Sequence, residues 1–505
     1  MKSEDKKFKN LDMSPEEFRK LGYHAIDMIT EYYKKLDDLD VFPGKDASEI
    51  ESEFNDELPR KPQDPGDIID EWKNRVIPNA THLGSRRFFG FVNGSGTMIG
   101  TLAEALSSAV NMNQGGWKAS PSATEIERRT IKWIAEMIGY HSDSGGLITS
   151  GGTMANMTAL ETALRNLAPY DTSHHGLQKE GFDQQFKVYM SDHEGHVSIV
   201  RVTDLLNLGR KCIQRIKSNS DFSMNSMDLE RQIKEDISNG NIPLCVVAQV
   251  GSINVGVIDP LEEIGRICQK YKIWFHADGA CGALGAMLPE KKDQYRGMEM
   301  ADSVTLDPHK WLYIPYECGC VLVKDKEKLR RAFSLSAPYL RGSIPRSYDG
   351  ENFWEYGPQM SRGFKALKLW MSLKYFGVNG YRRLLYQNVR CVEHLDQMVR
   401  RSDDFQELHK PNLLMYCFRY APQEFIQNWK GSEEDLESYL DDVNQEMADE
   451  IMLSGLAFIM TSKIYDRVVL RLSICSHRTT LEDIDTVFEK LKELGAQILL
   501  NHRST

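Results

Sequence analysis

Four clusters of polar residues stand where apolar runs end, and each offers a different piece of chemistry. Lys310 lies in Asp307-Pro308-His309-Lys310-Trp311, after the apolar stretch Ser303–Leu306 and before a bulky indole. Shielding a lysine from water disfavours its ammonium form and enriches the free amine that attacks a carbonyl carbon. The plainer alternative is a surface lysine with its head in water. Asp278 ends Trp274-Phe275-His276-Ala277-Asp278, and small residues follow to Gly285, leaving room for a flat ligand. A helix cap is the ordinary use of such an aspartate. His196 closes Ser191-Asp192-His193-Glu194-Gly195-His196, again behind an apolar run. In Ser150-Gly151-Gly152-Thr153-Met154-Ala155-Asn156, the glycines admit a close backbone approach at the start of a helix. Free N–H groups there attract a phosphate, although a simple glycine-rich turn has the same composition.

Together the four clusters fit one cofactor. Pyridoxal phosphate needs an anion cradle, a lysine for its aldehyde, a carboxylate for its pyridinium nitrogen and a flat group against its ring. Ser150–Thr153, Lys310, Asp278 and His196 supply these in turn. Lys310 follows Asp278 by 32 residues, which accommodates about one strand–helix crossover. A dinucleotide site requires a G-x-G-x-x-G turn, whereas the glycines here are adjacent. A zinc site on His193, His196 and His276 ranks last. Its first two histidines are three apart, not at H-E-x-x-H spacing, so no metal is expected.

The elements that must position these residues follow a strand–helix alternation from about residue 95. Strands are expected at Gly146–Thr149, Lys187–Ser191, Cys245–Val250, Trp274–His276, Ser303–Leu306 and Gly319–Val323, with helices such as Ala155–Arg165 and Pro260–Tyr271 between them. Such alternation predicts an α/β fold with a mainly parallel sheet covered by helices on both faces. Ligands of such sheets gather at the carboxyl ends of the strands, where all four clusters fall. Ahead of this, Ser14-Pro15-Glu16-Glu17 is a helix start, and Pro43, Pro59, Pro62 and Pro65 break up a thin helical arm. An arm with so little core of its own must pack on something else, a partner subunit being one candidate. Behind the sheet, strand-like Leu413–Arg419 and Val468–Ser473 and the amphipathic Leu481–Leu494 predict a smaller α+β part. The expected division is an N-terminal helical and dimerisation arm at 1–95, a large cofactor-binding domain at 96–375 and a small C-terminal domain at 376–505.

Composition narrows the partners. The 505 residues carry 62 Lys plus Arg against 73 Asp plus Glu, a net charge of −11 with no long basic run, which argues against nucleic acid. No stretch approaches the ~20 apolar residues of a membrane span, and Met1–Lys7 has no apolar core behind it to act as a secretory signal. The nine cysteines are scattered, with only Cys318 and Cys320 close together, so a reducing, cytoplasmic setting is expected.

The segments Ser150–Asn156, His276–Ala280 and Asp307–Trp311 resemble the pyridoxal-phosphate group II amino-acid decarboxylases, a family that includes aromatic-L-amino-acid and glutamate decarboxylases. The resemblance extends from Pro15–Phe18 through Arg87–Gly90 and Ala119–Pro121 to Leu470–Cys475. It implies a large domain of pyridoxal-phosphate fold type I, like aspartate aminotransferase, and a homodimer with interlocked termini. It also implies that Lys310 holds the cofactor as a Schiff base, that Asp278 keeps the pyridine nitrogen protonated and that His196 stacks on the ring. Gly152 and Thr153 match the phosphate cradle. Asp307, which falls where many relatives have Asn, joins His309 and Lys310 among the cofactor-binding positions. Pro338-Tyr339-Leu340 matches the family's mobile loop, within a lid expected at Ser334–Gly350. The resemblance gives Tyr339 the protonation of the carbanion, where related aldehyde synthases usually carry Phe. The implied reaction is decarboxylation of an L-amino acid to the amine and carbon dioxide. His309–Trp311 and the aromatic cluster Arg87–Phe91 favour an aromatic substrate. The polar run Asn111–Gly116, Val92-Asn93 and Gly251-Ser252-Ile253 depart from the aromatic branch and keep an acidic substrate in view.

Overall fold

Short, largely buried apolar runs build most of the central layer. The computed structural model describes residues 12–177, 179–335 and 350–504; Tyr339 and nearly all of the expected lid lie outside the described residues. Among the described residues β1 (Gly145–Thr149), β2 (Phe186–Ser191), β3 (Ile213–Ile216), β4 (Ile242–Gln249), β5 (Trp274–Asp278), β6 (Ser303–Leu306) and β7 (Gly319–Val323) form one sheet in the order β1-β7-β6-β5-β4-β2-β3. Strands β3, β2, β4, β5 and β6 are mutually parallel, and β7 runs antiparallel to both its neighbours. The fold is therefore the expected α/β class with a mostly parallel sheet.

The reversal at β7 has a local cause. The 307–318 connection contains the single helical turn Pro308–Trp311 and no crossover helix, so the chain returns beside β6 antiparallel. This leaves Leu306 opposite Cys320 and Thr149 opposite Gly319, bringing the carboxyl ends of β1 and β6 to flank the start of β7. Asp278 at the end of β5 pairs with Thr305 of β6. The polar clusters are thus delivered to one edge.

A second sheet, β8 (Phe405–Glu407), β9 (Met415–Tyr420), β10 (Met460–Ile464) and β11 (Arg467–Ser473), is antiparallel in the order β10-β11-β9-β8. The helices Glu433–Leu453 and Leu481–Ser504 and the end of the long helix Ala366–Arg401 bury their apolar residues against it. That long helix crosses the expected boundary near residue 375 and is broken at Gly377, whose φ of 63° only glycine adopts without strain.

In the arm, Ser14 Oγ accepts the Glu17 N–H at 3.2 Å and caps the helix Pro15–Lys35. Its continuation rests on the chain's own C-terminal part, where Val41, Phe88 and Phe458 make a small apolar cluster. Phe89 is likewise buried in core contacts, and of the aromatic cluster Phe91 is exposed, its ring centroid 5.9 Å from that of Phe458. Phe18, Tyr23 and Ile26 on the first helix are exposed.

Candidate active site

Lys310 belongs to the single turn Pro308–Trp311 at the end of β6, and its neighbours hold it there. Trp311 is fully buried, and its indole N–H donates to Asn388 Oδ1 at 3.0 Å, which anchors the turn to the long helix. Lys310 Nζ lies 3.1 Å from Asp307 Oδ2 and 3.5 Å from Cys281 Sγ. Burial alone pushes the lysine toward the free amine, as expected from the sequence. In the folded protein the carboxylates of Asp307 and Asp278 oppose that, with the Cys281 sulfur accepting from the ammonium, and the pKa rises above its ordinary value. The expectation of a lowered pKa therefore fails, because the sequence did not reveal that carboxylates would converge on a single amine.

Asp307 is 2% exposed and one of its oxygens, Oδ1, has no hydrogen-bond partner. Its other oxygen lies at the start of the helix Gly152–Leu167, where a Cβ added to Gly152 would be 2.8 Å away. Only glycine lets the helix N-terminus approach this closely. His309 completes that corner: Nδ1 accepts the Cys318 N–H at 3.2 Å, so the ring proton sits on Nε2, 3.6 Å from Asp307 Oδ2. Burial pushes His309 below its ordinary pKa, partly opposed by Asp307. Tyr316 packs on the same imidazole with ring centroids 4.4 Å apart. Thr153 is exposed in the first turn of the helix.

Asp278, 4% exposed, accepts from Asn156 Nδ2 at 2.9 Å and from its own turn through the Ala280 N–H at 3.3 Å. The local capping contact and the network contact thus coexist on one carboxylate. His196 caps the helix Val197–Leu205 and bonds to Ser198 Oγ at 2.7 Å. Burial lowers its pKa against the pull of Asp278. His276 faces Ser303 and Asn156, and His193 sets its ring edge against Phe222. Among the described residues no group of three or more His, Cys, Asp or Glu side chains is placed to hold a metal ion.

The residues fit pyridoxal phosphate. A helix N-terminus kept open by glycine, a largely buried amine and a buried carboxylate at the next strand end are parts the cofactor requires, while the unpartnered Asp307 oxygen sets a negative charge beside the helix start. Lys310, Asp307, His309 and Gly152 are brought together directly, and Asp278 and His196 are linked to each other through Asn156 and Ser198. Sequence reasoning missed Asn156, Ser198 and Cys281. Asn156 stood inside the glycine-rich motif, but nothing in its spacing revealed partners on two other segments, β5 and the helix Val197–Leu205.

Known proteins are similar along nearly the whole chain. An aromatic-L-amino-acid decarboxylase of Bacillus atrophaeus is 31% identical over 494 residues, covering 98% of each chain. A phenylacetaldehyde synthase of a Rosa hybrid cultivar is 27% identical over 496 residues, covering 96% of this chain and 95% of the relative. The solved structure of Oryza sativa TDC with PLP and tryptamine shares the fold, with a TM-score of 0.89 at 23% identity over 97% of this chain and 99% of that one. The pyridoxal-dependent decarboxylase conserved domain matches residues 48–421, and the chain accordingly belongs to that family of carboxy-lyases, which work with pyridoxal phosphate.

Proposed function

We propose that the protein decarboxylates an aromatic L-amino acid to its amine and carbon dioxide. The observation that carries this reading is the convergence of Lys310, Asp307, Asp278 and the Gly152 helix start at one sheet edge. The aromatic-L-amino-acid decarboxylase that is similar over 98% of the chain supports the substrate class. Bound pyridoxal phosphate supplies an aldehyde carbon for amine exchange and a protonated ring that accepts the electron pair left when the Cα–carboxylate bond breaks. Lys310 would hold the cofactor through its amine. Asp278, shielded from water, holds the proton on the ring nitrogen through a low-dielectric attraction. His196 would lie against the ring, the helix start with Thr153 and the His309 Nε2–H would take the phosphate, and Asp307 would border the cofactor beside Lys310. Tyr339 returns a proton to Cα once carbon dioxide has left.

A second reading, oxidative formation of an aldehyde, is favoured by the similarity to phenylacetaldehyde synthase. Tyr339 and His196 weigh toward the amine. An acidic substrate loses support from the polar run at 111–116. Gln114 is buried with its amide donating to Ala123 O at 2.6 Å, and Asn113 Oδ1 accepts two backbone N–H groups.

The proposal includes a homodimer in the cytoplasm, with 1–95 as the dimerisation arm, 96–375 as the cofactor domain and 376–505 as the small domain. Met98, Leu102, Leu106 and Val110, four residues apart on the helix Met98–Val110, form an exposed apolar stripe that a second copy would cover. All nine cysteines are free and buried, in keeping with a reducing compartment. No helix among the described residues is long and apolar enough to cross a membrane.

The test is incubation of the cofactor-loaded protein with the twenty L-amino acids, followed by mass spectrometry. Amines of aromatic amino acids with equimolar carbon dioxide are expected, and Lys310→Ala should lose both these products and the cofactor's visible absorption. An amine from glutamate or aspartate, or an aldehyde with peroxide, would replace this reading.

A further inference from the structure

Around Asp278 the hydrogen-bond directions follow from the carboxylate outward: it only accepts, so the Asn156 amide nitrogen faces it, the Asn156 oxygen faces His276 Nε2, and a neutral His276 that donates there accepts at Nδ1. Trp274 Nε1 donates to Ser303 Oγ at 2.8 Å, Ser303 Oγ donates to His276 Nδ1 at 2.8 Å, and His276 Nε2 donates to Asn156 Oδ1 at 3.1 Å. The Asn156 amide then directs its two N–H groups to Asp278 Oδ2 at 2.9 Å and Ser198 Oγ at 3.0 Å. The Ser198 hydroxyl in turn donates to His196 Nδ1 at 2.7 Å, and the Ser198 backbone N–H donates to the same nitrogen at 3.2 Å. The neutral His196 ring therefore carries its proton on Nε2. Asn156 is 1% exposed.

We propose that Asn156 is a positioning residue whose single amide aligns the Asp278 carboxylate and sets the tautomer of His196, coupling the two side chains assigned to the cofactor ring. This rests on the pyridoxal-phosphate reading of the site. The position needs one acceptor and two donors in a plane. Aspartate has no donor and would place a second carboxylate against Asp278. Serine has one hydroxyl for three partners, and glutamine adds a methylene in fully buried surroundings. A half-satisfied network of this kind leaves buried polar groups unpaired and lets the carboxylate rotate. Besides the amide, Asp278 interacts with His196 after β2, His276 on its own strand, Cys281 in the following turn and Lys310 after β6.

The experiment measures cofactor affinity and the pH midpoint of the bound cofactor's visible band in the parent, Asn156→Asp, Asn156→Ser and Ser198→Ala. Both Asn156 variants should weaken pyridoxal phosphate binding at least tenfold and move the midpoint by one pH unit or more. Ser198→Ala, which cuts only the branch to His196, should weaken binding less and leave the midpoint in place. A residue that merely supports the fold would lower thermal stability without moving the midpoint. If folded Asn156 variants keep the parent's affinity and midpoint, the positioning role is wrong; if Asn156→Asp does not fold, Asn156→Ser decides by the same criteria. A parent chain that binds no cofactor would instead remove the functional reading itself.

Discussion

Lys310 Nζ and Asp307 Oδ2 face each other at 3.1 Å within one turn of chain, the carboxylate side chain 2% exposed and the lysine side chain 15%. The pair joins the amine that must become nucleophilic to a charge that opposes both its deprotonation and the approach of a phosphate.

Asp307→Asn removes that opposition. Losing a neighbouring negative charge lowers the lysine pKa, so more free amine is present at about pH 7.5, and the phosphate meets an amide in place of a carboxylate. Reconstitution of the cofactor-free protein should be several-fold faster and affinity about tenfold tighter, or ~1.4 kcal/mol. Absorbance titration with pyridoxal phosphate checks both, and slower, weaker uptake would count against the placement of Asp307 beside the cofactor.

Tyr339→Phe tests the residue that lies outside the described part of the chain. The variant should bind the cofactor with parent affinity yet release amine on the order of 10²–10⁴ times more slowly, the usual range for loss of a general acid. Part of the product should shift to aldehyde and peroxide. Unchanged amine yield would remove Tyr339 from the reaction.

Acid sensitivity follows from two histidines held away from water. Burial holds His276 and His477 at about 4, below the ordinary 6.5. Between those values the unfolded chain binds protons that the folded chain refuses, so stability falls as pH drops through the window. Each histidine contributes a loss of about 3 kcal/mol. Urea midpoints should decline from about pH 7 to about pH 4.5, and His477→Asn should shallow that decline. Parallel slopes for variant and parent would contradict the role of His477.

The exposed stripe on the helix Met98–Val110 predicts the oligomeric state. Leu102→Glu combined with Leu106→Glu places two charges in a face that a second copy would bury, and should turn a dimer into a monomer in sedimentation experiments. A variant that sediments with the parent would move the interface elsewhere.

The strands that escaped the sequence reading share a position. β3, β8 and β10 all lie at sheet edges, and Thr461, Ser462 and Lys463 in β10 are open or partly open to water. Such strands lack the continuous apolar signal of β2, β4 and β5. The antiparallel turn of β7 was equally hidden, since alternation of apolar and amphipathic segments does not report strand direction.

Residue order and type alone determined the class of fold and the cofactor, and singled out Lys310, Asp278, His196 and Gly152 as candidates, because close backbone approach, a reactive amine and a buried carboxylate each demand a particular side chain at a strand end. Tertiary structure decided what those groups are to one another. The charge on Lys310 depends on Asp307 and Asp278, the orientation of Asp278 depends on Asn156, and Phe88 and Phe89 turn out to serve the core. Hydrogen bonding acts through distances of about 3 Å, and such a distance between residues as far apart in the chain as Asn156 and Asp278 exists only once the chain has folded.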